Sequence, residues 1–515
     1  MSQSYFIGVD IGTTSTKAIV FSETGEMKGI GNRGYPIAVP QTGWAEQDPE
    51  EIFGEMILAM RTAIKQAEVP KSAIAAIGFS GAMHSLIALD AEEQALTPAI
   101  IWADNRSLEQ TKQLKQDGDG HELYLRTGTP IHTMSPLTKL LWMQEQDAER
   151  FQKTKKFISI KEYVFLKLFD RLLVDYSIAS ATGLFNLEQC QWDAKALNRV
   201  GIGADRLSEL VPTTFVVRGM KREYADTIGI DPDTPVVVGA SDGVLANLGV
   251  GAISPHQIAI TIGTSAAVRA VVPKPTTDEA GRTFCYALTE DHWVIGGPSN
   301  NGGIVLRWLR DEFCQNEVTQ AKQKDLDPYE VMIRAASDIP LGAEGLICLP
   351  FLSGERAPYW NPEARGVFFG VALHHRRSHF IRAVLEGILF SVYSINLALQ
   401  ELVGKAEAIH ASGGYARSDI WLQMTADMFG YEVVVPKIFE GSGFGAAVLA
   451  MHAVGHLPKL EAVNQLIQID DRYQPNLSHT RRYHRMFQIY DRLYRDHVQD
   501  FAFLSQLCPP EGCGL

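Results

Sequence analysis

The sequence predicts an α/β protein built from two related halves with a cleft between them. Three observations carry this. Short β-branched runs alternate with helix-like stretches along the whole chain. The segment Asp10-Ile11-Gly12-Thr13-Thr14-Ser15 is echoed in the second half by Thr261-Ile262-Gly263-Thr264-Ser265, each between two apolar runs. No low-complexity segment or long linker separates the halves, so they are expected to pack against each other.

Taken in order, strand-like runs at 5–10, 17–22 and 27–31 precede a helical pattern over 49–66. Apolar runs at 73–79 and 86–89 flank Ser80-Gly81-Ala82-Met83-His84-Ser85, and mixed helices and loops follow to about Pro212. The run 235–240 is apolar throughout, as buried sheet strands are, and leads into Ser241-Asp242-Gly243. The boundary between halves is placed at 250–256. The second half restarts at Gln257 with a hairpin, then a helix over 303–313, a strand at 345–349 and a helix over 379–400. A strand at 408–411, a helix over 418–428, a strand at 433–435 and a helix near Gly445 complete it. In 479–501, Tyr483, Phe487, Tyr490 and Tyr494 share one helical face, beside Arg481, Arg482, Arg485 and Arg492; this reads as a helix docked by its aromatic stripe.

With 47 basic and 60 acidic residues among 515, a net charge of −13 and no dense Lys/Arg run, nucleic acid and anionic membranes are not expected partners. The start shows no signal-peptide pattern. The greasiest segment, 384–400, is interrupted by Glu386, Gly387, Ser391 and Ser394 and reads as a buried helix. Six scattered cysteines fit reduced thiols in the cytoplasm, and no second Cys/His pair accompanies Cys508 and Cys513 to suggest zinc.

Each Gly-Thr turn offers backbone N–H groups and hydroxyls in a small concavity suited to phosphate. Two of them, one per half, suggest a nucleotide phosphate tail held between related domains. Asp10 ends the first strand, where a carboxylate can hold Mg²⁺ directly or through water; the second copy has Thr261 at that place. Lys17, on the return strand, reads as a β- or γ-phosphate contact or as a solvated strand lysine. Asp242, at the mouth of a sheet, reads as the base that takes a proton from a hydroxyl nucleophile, or as the N-cap of a helix starting near Leu245. Gly413-Gly414-Tyr415-Ala416-Arg417-Ser418 and Gly441-x-Gly443-x-Gly445 look like nucleotide-binding turns. Met83-His84, Trp102 to Arg106 and Pro130-Ile131-His132 are polar clusters that read as substrate contacts or as structural pairs.

At these residues the chain resembles the FGGY carbohydrate kinases, within the actin/hexokinase/Hsp70-like ATPases. Met134-Ser135-Pro136-Leu137-Thr138-Lys139-Leu140-Leu141-Trp142 is similar to the N-terminal signature of that family. Gly366 to Val371, continuing to His379-Phe380 and Ala383 to Glu386, is similar to the C-terminal one. The resemblance implies two actin-like/ribonuclease H-like ATPase domains, 1–252 and 253–515. It places substrate, the first phosphate loop and the base in the former, and nucleotide binding in the latter. It implies ATP and Mg²⁺, with Gly12, Thr13, Thr14, Ser15 and Lys17 as the first phosphate loop and Asp10 as the magnesium-linked acid. Gly263 and Thr264 fall in the second phosphate loop, Gly303 and Arg307 at nucleotide contacts, and Gly414 and Ser418 at the adenosine-side turn. Asp242 falls at the catalytic base. Arg307 is a partial departure from the pattern, since some members carry Gln there.

Met83-His84 resembles the pair of xylulokinase-like members and differs from the Arg-Glu pair of glycerol kinases. The runs 80–85, 102–107, 126–132 and 175–183 resemble gluconate-phosphorylating members. The implied reaction is ATP-dependent phosphorylation of D-gluconate at its 6-hydroxyl, giving 6-phospho-D-gluconate and ADP. Met83, His84, Arg106, His132 and Asp242 are the implied substrate contacts. A carboxylate substrate needs a cation, and Arg106, His84, His132 and Lys139 are the candidates. A kinase of a pentulose such as xylulose, or of another sugar acid, is the alternative; an actin-like ATPase switch without an acceptor is a remoter one. A homodimer is the family expectation.

Overall fold

The computed structural model describes residues 3–254, 256–437 and 440–507. Cys508, Cys513 and Pro255 of the expected boundary lie outside them. The first sheet has six strands. Its centre is β1 (Tyr5–Ile11), antiparallel to β2 (Ser15–Ser22), which pairs antiparallel with β3 (Met27–Gly34). On the other side β1 runs parallel to β4 (Ile74–Gly81), and β4 parallel to β5 (Val236–Ser241). The second sheet repeats this plan. β6 (Gln257–Ile262) and β7 (Ala266–Val272) form the hairpin, β8 (Phe284–Thr289) and β9 (His292–Ser299) extend it antiparallel, and β10 (Ala408–Ser412) and β11 (Glu432–Pro436) run parallel on the far side. Strand β12 (Ile469–Tyr473) closes that edge. In both sheets the first strand is central, with an antiparallel meander on one side and parallel strands on the other. The internal echo of the Gly-Thr segments is therefore a duplication of whole domains, in the expected actin-like arrangement.

Local chemistry explains the helices. Helix α1 (Pro49–Ala67) opens with Asp48 accepting the Glu50 N–H and Pro49 in the first turn, and buries Ile52, Phe53, Met56 and Met60. Helices α2 (Pro136–Gln146) and α3 (Ile160–Phe169) form one flank of the first domain, the latter opened by a Ser159–Glu162 capping box. Helix α4 (Asp242–Gly249) follows β5 directly. In the second half come α5 (Gly303–Phe313), α6 (Arg377–Val403), α7 (Asp419–Phe429), α8 (Gly441–Ala453) and α9 (Leu477–Leu507). Helix α6 is long and apolar enough to cross a membrane by length and composition, but 89% of that stretch is buried inside the protein, as a core helix is. On α9, Tyr483, Tyr490 and Tyr494 are buried and Phe487 packs beside them, so the aromatic stripe is the docking face.

One expectation is corrected. Gly441-x-Gly443-x-Gly445 is not an open turn. It forms the first turns of α8, which lies against β1, β4 and α4 of the first domain. A Cβ on Gly8 would stand 1.8 Å from the Gly443 carbonyl oxygen, and one on Gly445 would stand 2.1 Å from that of Leu245. These glycines permit backbone-to-backbone packing. The chain boundary near 250–256 separates the strands of the two sheets, yet α8 crosses back to cover the first sheet.

Gly445→Ala therefore tests this contact. Alanine is the better helix former by about 1 kcal/mol, but overpacking against a fixed carbonyl costs roughly 1–3 kcal/mol or more. The urea midpoint is expected to fall; an unchanged or raised midpoint contradicts the close packing.

Candidate active site

The ends of β1, β4 and β5 share one edge of the first sheet. Register pairs Asp10 with Lys17 across the hairpin and with Ser80 on β4, whose hydroxyl donates to Asp10 Oδ1 at 2.6 Å. The turn that follows is pinned on several sides. Gly12 N–H donates to Ser15 O (3.1 Å), Tyr35 Oη donates to Gly12 O (2.6 Å), Gln47 Nε2 donates to Thr13 O (2.8 Å), and the Trp102 indole N–H donates to Thr13 Oγ1 (2.9 Å). Lys17 does not stand free beside this turn. Its ammonium holds Glu440, just ahead of α8, at 2.7 Å, so the lysine ties the two halves of the chain together.

The second turn repeats the geometry with different chemistry. Thr261 stands in the place of Asp10 and pairs in register with Ser412, the two hydroxyls 2.9 Å apart. A carboxylate–hydroxyl pair in one domain is thus a hydroxyl–hydroxyl pair in the other. The N-terminus of α5 packs on this turn: Gly303 N–H donates to Gly263 O (2.7 Å) and Ile304 N–H to Thr264 O (3.0 Å). Arg307 is exposed one helical turn further along α5. Gly413, at φ +92°, lies so close to β6 that a Cβ would stand 2.5 Å from Ile262 O. Gly414 and Gly263 are thereby brought to one wall. Ser418 is occupied as the N-cap of α7, accepting the Trp421 N–H at 3.3 Å.

Asp242 is the first residue of α4, and Ser241 rather than Asp242 holds the N-cap position. Its strand is anchored from below. Ser177 Oγ accepts the Ser241 N–H (3.1 Å), and Lys161 donates to Ala240 O (3.1 Å) while pairing with Asp175 at 2.6 Å in the interior. Burial raises the Asp242 carboxyl above the usual range, opposed by the Gly243 N–H at 2.7 Å and by the charges of Arg269 and Lys161. The result is a carboxylate of increased basicity.

A cavity of about 320 Å³ opens between the domains. The first domain contributes Thr13, Met83, His84, Trp102 and Asp242; the second contributes Arg269, Tyr286 and Arg356 among others. His84 sits at φ +70°, a conformation a histidine adopts at a cost. Its Nδ1 donates to Ala181 O at 2.7 Å, and burial with the nearby Lys139 charge pushes its pKa down to about 3. The ring is neutral and presents Nε2 as an acceptor.

The expected cations are corrected here. Arg106 is held by Asp104 (2.8 Å) and Glu46 (2.6 Å), with its guanidinium 3.7 Å from the Trp44 ring centroid, and does not line the cavity. His132 lies behind the wall: its Nδ1 accepts the Met134 N–H at 3.1 Å, and burial holds it well below the usual range, hence neutral. Lys139 donates to the carbonyls of His84, Ile100 and Ile101, with its pKa pushed down by burial to about 7. All three shape the pocket from outside it. Arg269 and Arg356 reach the cavity from the second domain. Arg269 was detectable as a lone cation in the apolar run Ala266 to Val272; nothing in the sequence singled out Arg356.

Comparison with known proteins agrees with this geometry. The FGGY family of carbohydrate kinases matches through its N-terminal domain at residues 5–249 and its C-terminal domain at residues 258–454. A Bacillus subtilis (strain 168) protein named gluconokinase is 49% identical over 493 residues, 96% of each chain. The crystal structure of gluconate kinase from Lactobacillus acidophilus superposes with a TM-score of 0.92 at 36% identity, covering 98% of this chain and 100% of that one. A ligand-bound structure from the same organism, described as xylulose kinase, gives the same figures. With both of its domains matched over most of its length, this chain belongs to the FGGY family of carbohydrate kinases.

Proposed function

We propose that this chain transfers the γ-phosphoryl group of ATP to the 6-hydroxyl of D-gluconate, giving 6-phospho-D-gluconate and ADP, in the cytoplasm. The observation that carries the reading is Asp242, a carboxylate of raised basicity in a cavity shared by both domains and flanked by Thr13 and Ser265 of the two turns. In the proposed step Asp242 accepts the 6-hydroxyl proton as that oxygen bonds to the γ-phosphorus, and the bond from phosphorus to the β–γ bridging oxygen breaks to release ADP. The N–H groups of Thr13 and Thr14 and of Thr264 and Ser265, beyond the glycine N–H groups that close each turn, are suited to the charge on the transferring oxygens. His84 Nε2 is an acceptor for a sugar hydroxyl. Gluconate is favoured as acceptor by the 49% identity to the Bacillus subtilis gluconokinase.

Magnesium fits the residues present. Burial, then the Asp242 charge, raises the Asp10 carboxyl from its ordinary 3.8 to about 6, against the Ser80 hydroxyl and Lys17. Two desolvated carboxylates that repel each other suit a divalent cation. Among the described residues no cluster of three or more His, Cys, Asp or Glu forms a closed metal cage, which suits an ion that keeps waters and phosphate oxygens as ligands. Asp10 would hold it, directly or through water, and the ion would supply charge neutralisation at the phosphates.

Coupled ADP-release assays test the acceptor and the base together. Gluconate is expected to give a dominant kcat/KM over xylulose, ribulose and glycerol, and Asp242→Asn to lower kcat by about 10²–10⁴-fold. Dominance of another acceptor, or a variant within a few-fold of wild type, contradicts the reading.

Asp10 gives a second test. Because its folded pKa is raised, the folded state binds the proton more tightly than the unfolded chain, and stability from this group falls as pH rises from about 4 through about 6. Without nucleotide and metal, Asp10→Asn is expected to raise the thermal midpoint at pH 8 and to change it little near pH 4. A lowered midpoint at pH 8 contradicts the electrostatics.

A further inference from the structure

Three buried or half-buried cations of this protein have a close carboxylate partner. Lys161 has Asp175, Arg106 has Asp104 and Glu46, and Arg382 has Glu386. Lys139 instead has three carbonyls. Arg269 and Arg356 break the pattern: among the described residues, neither has a carboxylate oxygen within 4.0 Å. Arg356 is 8% exposed, its Nε has no hydrogen-bond partner, and its only side-chain bond is Nη2 to Ser299 O at 3.3 Å. Arg269 offers Nη1 to Thr261 Oγ1 at 3.4 Å. Burial lowers the pKa of both, Arg356 to about 10, and Arg269 contributes to that lowering by its like charge. Two guanidiniums that face one cavity and repel each other, offset only by the charges of Asp242 on Arg269 and Glu355 on Arg356 from beyond contact distance, are expensive unless a ligand brings a further anion.

Resting on the gluconate reading above, we propose that Arg269 and Arg356 together clamp the carboxylate of the sugar acid. The cavity is polarised along its length. Asp242 is influenced by Arg269 and Lys161, whereas Arg356 acts on His84 and Tyr286 and lies 5.2 Å from the Trp102 ring centroid. Arg356 thus stands beside Trp102 on the acceptor wall, whereas Arg269 reaches Gly243, next to the base. In gluconate the carboxylate stands at the opposite end of the chain from the 6-hydroxyl. A molecule that gives its hydroxyl to Asp242 therefore carries its charge toward Arg356. Charge-assisted, planar donors suit a carboxylate. The clamp comes from the second domain while Met83, His84 and Asp242 come from the first, so an acidic acceptor is gripped by both walls at once. A neutral pentulose would leave both guanidiniums unpaired, which makes the clamp a determinant of specificity.

The test compares gluconate with gluconamide, its neutral amide, in wild type, Arg269→Gln, Arg356→Gln and Arg356→Lys. Wild type is expected to prefer gluconate by about 10²-fold or more in kcat/KM. Each Gln variant is expected to lose most of that preference through KM for gluconate, and Arg356→Lys to keep part of it. If both Gln variants keep the wild-type ratio, the clamp is overturned. It is equally overturned if the two substrates fall together through kcat, which would place the arginines on the transferring phosphoryl group. A wild-type enzyme that takes a pentulose and not gluconate overturns the functional reading, and the clamp with it.

Discussion

The structure depends on a backbone contact without side chains. Helix α8 approaches β1 at Gly8–Gly443 and α4 at Leu245–Gly445 so closely that a single methyl group would collide with a carbonyl oxygen. Because α4 begins at Asp242 and α8 begins just after Glu440, the same contact sets the height of the base and delivers the partner of Lys17. A segment from the end of the chain thereby completes the floor of a site whose other acids come from its beginning. Core interiors are too densely packed for such a contact to shift without cost.

Buried charge is used in two ways around this floor. Lys161 with Asp175 and Arg106 with Asp104 and Glu46 are closed pairs that hold loops in place, and neither arginine nor lysine there is free for a ligand. Asp10, Asp242, Arg269 and Arg356 remain only partly compensated, and the last three line the cleft. Under the proposed function, the two carboxylates would take a cation and the two guanidiniums an anion. Domain duplication supplied both turns, and the exchange of Asp10–Ser80 for Thr261–Ser412 made one of them acidic and the other neutral.

Much of this was legible in the sequence. The Gly-Thr turns end central strands because apolar runs bracket them, and the half-buried acids Asp10 and Asp242 stand out at the ends of apolar strands. The family resemblance drew together Gly12, Gly263 and Asp242, and the fold places both turns at the ends of central strands and Asp242 in the cleft between the domains. What was misread turned on partners distant in the chain. Arg106 and Lys139 looked like ligand cations because Glu46, and the carbonyls of Ile100 and Ile101, are not visible as neighbours in sequence. Gly441 to Gly445 looked like a nucleotide-binding turn because a glycine that admits another backbone and one that admits a purine or ribose are written alike. Arg269 stood unremarked on an apolar strand, where only the fold reveals that its tip reaches a cleft.

The most direct measurement is the identity of the product. Incubated with ATP, Mg²⁺ and D-gluconate, the enzyme is predicted to yield one phosphoester, shown by ³¹P and ¹³C NMR to sit on the C6 oxygen, with one ADP formed per ester. Phosphate on another hydroxyl would contradict the placement of the 6-hydroxyl at Asp242, and ADP with only inorganic phosphate would contradict the account as a whole.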